Sequence, residues 1–169
     1  LQPARNFLNL KSALVLYLHI FTLDAKCHHS TSSGVNSMAY IAKTPLAYVG
    51  QSVGNGQCVA YTQKAANMPR TVAWKRGELV KGNMTIPPGT AIATFDADGR
   101  YGNHTDGRSH AAIYLGQDAS GIQVLDQWMN HRTLPSGERE ATPHYVSKRT
   151  IRFHKAPRAE NNGDNYYVV

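Results

Sequence analysis

The strongest constraint on the fold is an order: one helical stretch comes first, and a run of short β-rich segments follows. Residues 58–67 carry apolar or small side chains at 58, 59, 62, 65 and 66, the spacing of one helix face, and Pro69 stops the pattern. A second short helix is expected over residues 74–80, ended by Gly82. Pro87, Pro88 and Gly89 then turn the chain into a β-rich run at 90–95, and the polar, Gly-rich stretch 96–109 reads as a loop. Residues 110–115 form a strand, 116–121 a turn and 122–128 the returning strand. A long basic loop leads to a further strand at 149–153, and Gly163-Asp164 precede a closing strand in "YYVV". One helix followed by antiparallel strands is the α+β pattern, and 169 residues suffice for one domain with a real core.

The first 37 residues do not share this patterning. Residues 13–23 ("ALVLYLHIFTL") are an apolar run behind Arg5 and Lys11, too short to span a bilayer but of the length of a signal-peptide core. The segment after it lacks a small-x-small cleavage pattern, and Lys26 before Cys27 spoils a lipoprotein signal. Residues 1–37 are therefore expected to be a disordered leader, a degraded signal or a misassigned extension, with a genuine secretion signal as the alternative. The compact domain is expected over residues 38–169, opening at Met38. No stable membrane insertion is expected.

Lys and Arg total 18 against 11 Asp and Glu, a net charge of +7. Such an excess favours polyanionic surroundings: nucleic acid, an acidic membrane surface or a carboxylate-rich cell-wall polymer. Nucleic acid is set aside, because no helix-turn-helix signal, RNP-like aromatic pattern or paired zinc spacing accompanies the charge. Two cysteines, Cys27 and Cys58, do not make a disulfide framework, and a bridge between them is the less favoured state.

Cys58 stands at the first turn of the helix, behind the Gly-rich loop "VGNGQ". A buried free cysteine is most often a small hydrophobe, yet a helix N-terminus stabilises a thiolate and suits a nucleophile. Such a nucleophile needs a base and a group to orient that base. His110 opens the strand after the long loop, and Asp126 lies on the strand that returns. With the turn centred between Asp118 and Ala119, Asp126 falls opposite position 111, within one residue of His110 and close enough to hold an imidazole. An Asp among Ile122, Val124 and Leu125 also needs a partner to offset its burial. Trp128, two residues on, is expected on the same face, lining a subsite or packed as a core aromatic. His104 and Asp106 in the loop are expected to be solvated. A metal site from His104, Asp106 and His110 matches no zinc-hydrolase spacing, so neither metal nor other cofactor is expected.

Together "GNGQCVAYTQ", "PPGTAIATF", "SHAAIYL" and "VLDQW" resemble the papain-like cell-wall amidases of the CHAP and NlpC-type superfamily, and within it the small amidase effectors delivered by type VI secretion. The likeness covers residues 38–169. It implies a papain-like α+β fold, with the Cys-bearing helix packed on an antiparallel sheet. It further implies Cys58 as nucleophile, His110 as general base and Asp126 as the group orienting it. Gln57 before the cysteine fits the Gln-Cys pair of CHAP domains, and the NlpC Asp-Cys pattern is absent. Gln57 and Gly56 are the expected oxyanion and substrate-binding residues, with Trp128 beside them. The function so implied is a cysteine amidase cutting peptidoglycan stem peptides, an antibacterial effector secreted or delivered to a target-cell periplasm. A monomer is expected, with a possible cognate immunity protein. The alternatives are a cysteine protease or transferase acting on proteins, and a non-catalytic cell-wall binding module.

Overall fold

The computed structural model describes residues 39–154 and 157–169. The expected leader, its apolar run, Cys27 and the start at Met38 lie outside the described residues. Helix α1 (Cys58–Ala66) precedes five strands: β1 (Ala91–Thr94), β2 (Ala111–Asp118), β3 (Gly121–Thr133), β4 (Arg139–Arg152) and β5 (Tyr166–Val168). They form one antiparallel sheet in the order β4-β3-β2-β1-β5. Helix α1 lies against β2 and β3. The architecture is α+β, with the cysteine at the start of the helix.

The central strands are apolar without interruption because both of their faces are covered. Ala91, Ala93, Ala111, Ile113 and Leu125 share one cluster with Tyr61 and Ala66 of α1. The alternate residues Ile92, Ala112, Tyr114 and Val124 join Ile122, Ile151, Tyr166 and Val80 on the opposite face. Small alanines on the helix side let α1 approach the sheet closely. The helix buries Cys58, Tyr61, Thr62 and Ala66, so its inward stripe includes an aromatic at 61. It ends at Asn67, whose left-handed backbone (φ 50°) terminates the hydrogen-bond ladder just ahead of Pro69.

Two expectations are corrected. Residues 74–80 are not helical: a 3-10 turn at Thr71–Ala73 gives way to extended chain. There the N–H groups of Gly77 and Val80 donate to Val168 O (2.8 Å) and Tyr166 O (2.9 Å) of β5. A Cβ at Gly77 would stand 2.9 Å from Val168 O, which explains the glycine in the middle of that segment. The long basic loop is instead a hairpin. Strand β3 runs to Thr133, residues 134–138 turn, and β4 returns from Arg139, ten residues before the expected strand start. The turn is closed by the Leu134 N–H on Glu138 O and the Gly137 N–H on Leu134 O, with Gly137 left-handed at φ 85°. Beyond Leu125, the described pairings of β3 are with β4 alone, so the hairpin continues as a two-stranded ribbon.

Candidate active site

Cys58 is the first helical residue, and Gln57 before it is extended (ψ 154°) with no side-chain cap. Among the described residues no acceptor takes the Cys58 N–H, which faces outward from the positive end of the helix. The loop leading in is folded by left-handed glycines, Gly54 (φ 58°) and Gly56 (φ 78°), and a Cβ on Gly56 would run into Met129 Sδ of the ribbon. Gln127, fully buried on β3, clasps this loop. Its Oε1 accepts the Val53 N–H (2.9 Å), and its Nε2 donates to Val53 O (2.7 Å) and Gln57 O (2.9 Å). One side chain thus holds both ends of the turn that presents the cysteine.

His110 precedes β2. Its backbone N–H donates to Thr94 Oγ1 (3.0 Å), and that hydroxyl donates to Arg108 O (3.0 Å). The β2–β3 register pairs Ile113 with Leu125 and shifts at a bulge between Tyr114 and Gly116. Continued toward His110, it sets Asp126 opposite Ala112 rather than position 111, which makes His110 its diagonal neighbour on one face. The contact is close: His110 Nε2 donates to Asp126 Oδ2 at 2.7 Å, with Asp126 fully buried. The same oxygen accepts from Arg149 Nε at 2.7 Å. Arg149 also reaches Asn161 Oδ1 (3.0 Å) and Glu160 O (3.4 Å). With Nε2 taken by the carboxylate, Nδ1 is the nitrogen left for the sulfur.

The charges of Cys58 and His110 are coupled. Burial pushes the Cys58 thiol up, but the His110 charge, a hydrogen-bonding contact to its imidazole and the Ala111 backbone outweigh this and hold it below its ordinary value. Burial alone would also strip His110 of its proton; the Cys58 thiolate and the Asp126 carboxylate reverse that and raise it to about 10. Asp126, despite desolvation, is held below the usual carboxylate range by His110 and Arg149. The Cys58 and His110 shifts both favour a thiolate facing an imidazolium. Cys58 is buried, with 9% of its surface exposed, and its thiol is free. Tyr101 completes the surroundings, its hydroxyl 3.9 Å from Cys58 Sγ. Burial first, then the neighbouring sulfur, raise its pKa far above normal, which keeps it a neutral O–H donor.

Gly56 and Gln57 adjoin the cysteine as their place in the sequence requires; Gly56 is buried and Gln57 exposed. Trp128 shares the face of Asp126, but its ring is already occupied. His144 stacks on it at 3.7 Å and 8°, the Arg149 guanidinium lies 5.2 Å from its centre, and its Nε1 donates to Asn130 Oδ1. His104 is not simply solvated: its Nε2 bonds Asp96 at 2.8 Å, with Gly102 packed so tightly against the pair that no Cβ would fit. Asp106 is exposed and pairs with Arg108 (2.9 Å). His104, Asp106 and His110 thus bind three separate partners, and no cluster of three metal-ligating side chains occurs among the described residues. Gln127, Arg149 and Tyr101 were not visible as site residues in the sequence; the juxtaposition of Gln127 with Asp126 was the only hint.

A single helix laid on an antiparallel sheet, with a cysteine at its N-terminus beside a histidine that leads into a central strand, defines the papain-like α+β class. The family described as Domesticated amidase effector 2 matches residues 31–169, and the chain belongs to that family. The chain is 40% identical over 129 residues to a Type VI secretion amidase effector 2 protein of Salmonella typhi, covering 70% of this chain and 89% of that one. It is 36% identical over 121 residues to Domesticated amidase effector 2 of Ixodes scapularis, covering 69% and 72% respectively. The solved structure of Type 6 secretion amidase effector 2 (Tae2) superposes with a TM-score of 0.60 at 36% identity, over 76% of this chain and 92% of that one.

Proposed function

We propose that the protein is a cysteine amidase that hydrolyses amide bonds in the stem peptides of peptidoglycan, through the domain that begins at about Met38. The Cys58 thiolate attacks the scissile carbonyl carbon and forms a C–S bond. The oxyanion is met by the Cys58 N–H, with Gln57 and the backbone around Gly56 beside it. His110 gives its proton to the departing nitrogen as the C–N bond breaks, leaving a thioester and a free amine. Water then attacks the thioester while His110 takes one of its protons. The acyl group leaves as a carboxylic acid, and the thiolate–imidazolium pair is restored. Asp126 holds the ring with Nε2 protonated throughout, so Nδ1 is the atom that cycles.

The observation that carries this reading is the 2.7 Å bond from His110 to Asp126 behind a cysteine whose thiol is acidified at a helix start. The amidase names of the relatives support the reaction class. We further propose delivery to the periplasm of a target cell, with a cognate immunity protein in the producer. Among the described residues no helix is long and apolar enough to cross a membrane. The test is digestion of purified sacculi followed by mass spectrometry of the released fragments. Cys58→Ala is expected to lower turnover by at least roughly 10³-fold. A variant that still dissolves sacculi at the full rate, or a wild type that cuts casein and spares sacculi, overturns the proposal.

A further inference from the structure

We infer, on the amidase reading above, that the recess beside Tyr101 is a carboxylate-binding subsite formed by Lys75 and Arg100, which selects an acidic residue close to the bond that is cut. The recess measures about 390 Å³ and is lined by Thr71, Val72, Lys75, Arg100 and Tyr101. That is the size range of small-ligand sites. Lys75 and Arg100 are paired directly across an isolated antiparallel bridge. Like charges at opposed cross-strand positions repel one another, so the pairing is unfavourable until an anion joins it.

The protein supplies little of that anion. Among the described residues Lys75 has no ion pair, and the one carboxylate near Arg100 is Asp98, at 3.9 Å from its Nε. Asp98 instead accepts the Arg100 backbone N–H at 3.0 Å. The neighbouring cation is spoken for, since Arg76 lies over the Tyr167 ring at 5.4 Å. Lys75 and Arg100 are thus two adjacent positive groups over a cavity. Val72, 83% exposed at the rim, offers apolar contact to the methylenes of an acidic side chain.

The recess is tied to the chemistry by Tyr101. Tyr101 lines the recess, and its hydroxyl stands 3.9 Å from Cys58 Sγ. One tyrosine residue therefore links the recess to the sulfur. At about 3.4 Å per extended residue, a carboxylate held about one tyrosine length beyond that contact belongs to a residue within roughly three positions of the attacked carbonyl. Stem peptides offer both side-chain carboxylates and free α-carboxylates, and either satisfies the charge.

Binding is measured on the Cys58→Ala protein, so the result does not depend on turnover. The probes are synthetic stem tetrapeptides with each carboxylate, in turn, left free or converted to the amide. Amidation of the recognised carboxylate is expected to weaken binding about ten- to a hundredfold, the weight of charge-assisted hydrogen bonds. Which amide weakens it identifies an α-carboxylate or a side-chain carboxylate as the ligand. Adding Lys75→Gln and Arg100→Gln is expected to make free and amidated peptides bind alike. In the Cys58-containing double variant, iodoacetamide should label Cys58 at the wild-type rate, with the loss in KM and not in kcat. Equal binding of all the peptides by the Cys58→Ala protein, or discrimination that survives the double substitution, overturns the subsite. Failure of wild-type protein to hydrolyse any stem peptide overturns the amidase reading instead.

Discussion

In the mechanism proposed above, Cys58 and His110 share one proton between them, and its position decides when the site can act. His110 stays protonated to about 10 because a thiolate and a carboxylate flank it, and Cys58 is acidified for the reciprocal reason. As pH rises through about 10 the imidazolium loses the proton destined for the leaving amine. As pH falls below the depressed thiol value, the nucleophile is capped. The kcat/KM profile for stem-peptide hydrolysis should therefore be a bell, with its alkaline limb near pH 10 and its acid limb below 9.0, the ordinary value for a cysteine. Cys58→Ala removes the largest influence raising His110, so the imidazole should titrate at a clearly lower pH in that variant, read from its ring-proton shifts by NMR. An unchanged His110 titration would mean that the sulfur and ring do not interact. The residues of this pair were legible in the sequence, because a cysteine after a Gly-rich loop and a histidine at a strand start have local signatures. Tyr101 was not. It is an ordinary aromatic in a polar loop until the fold brings its hydroxyl to the sulfur.

Segments of the chain behave less uniformly than the sheet diagram implies. The loop before α1 has left-handed glycines and few apolar anchors, so its shape depends on the Gln127 side chain. Gln127→Ala leaves a backbone N–H and two carbonyls without that partner; water reaches some of them, and a loss of about 2 kcal/mol is expected. For a chain of this size that is a fall of about 4–8 °C in Tm, measurable by calorimetry, together with slower alkylation of Cys58. Gln127→Glu, which keeps the acceptor for the Val53 N–H, should recover part of the stability. The ribbon differs again. In the described pairings residues 130–133 and 139–142 pair only with each other, and all but Glu140 are exposed, so amide hydrogens there should exchange with solvent well before those of β1 and β2. Hydrogen exchange with mass spectrometry reads this directly. The same exposure explains why the ribbon was read as a loop. A strand is recognised by alternation between a buried and a solvated face, and here neither face is buried. The expected helix at 74–80 failed for the opposite reason. Trp74 and Val80 are buried by β5 and the sheet from a distance in sequence, and tertiary pairing overrode the local pattern.

Across the whole molecule, Arg149 is the strut between the buried acid and the C-terminal segment. It joins β4 to Asp126 and to Glu160 and Asn161, while the Tyr166 hydroxyl donates to Glu160 O (2.8 Å). Arg149→Ala leaves Asp126 with His110 as its one strong partner and should lower stability by roughly 2 kcal/mol, by urea denaturation. Arg149→Lys, which cannot reproduce the forked contacts, should recover less than half of this. An arrangement assembled from residues 126, 149 and 160 has no sequence signature, since each lies on a different element. The α+β class and the helix–strand order were legible because they follow from local periodicity. The molecule's two tryptophans happen to bracket the centre: Trp74 touches Tyr101, ring centres 5.0 Å apart, and Trp128 lies under Arg149. Trp74 is thus one side chain removed from Cys58, and Trp128 one side chain removed from Asp126. On the proposed mechanism these two indoles make a built-in optical gauge: their emission should change as the sulfur is acylated on one flank and as the carboxylate's counter-ion moves on the other, with no dye attached.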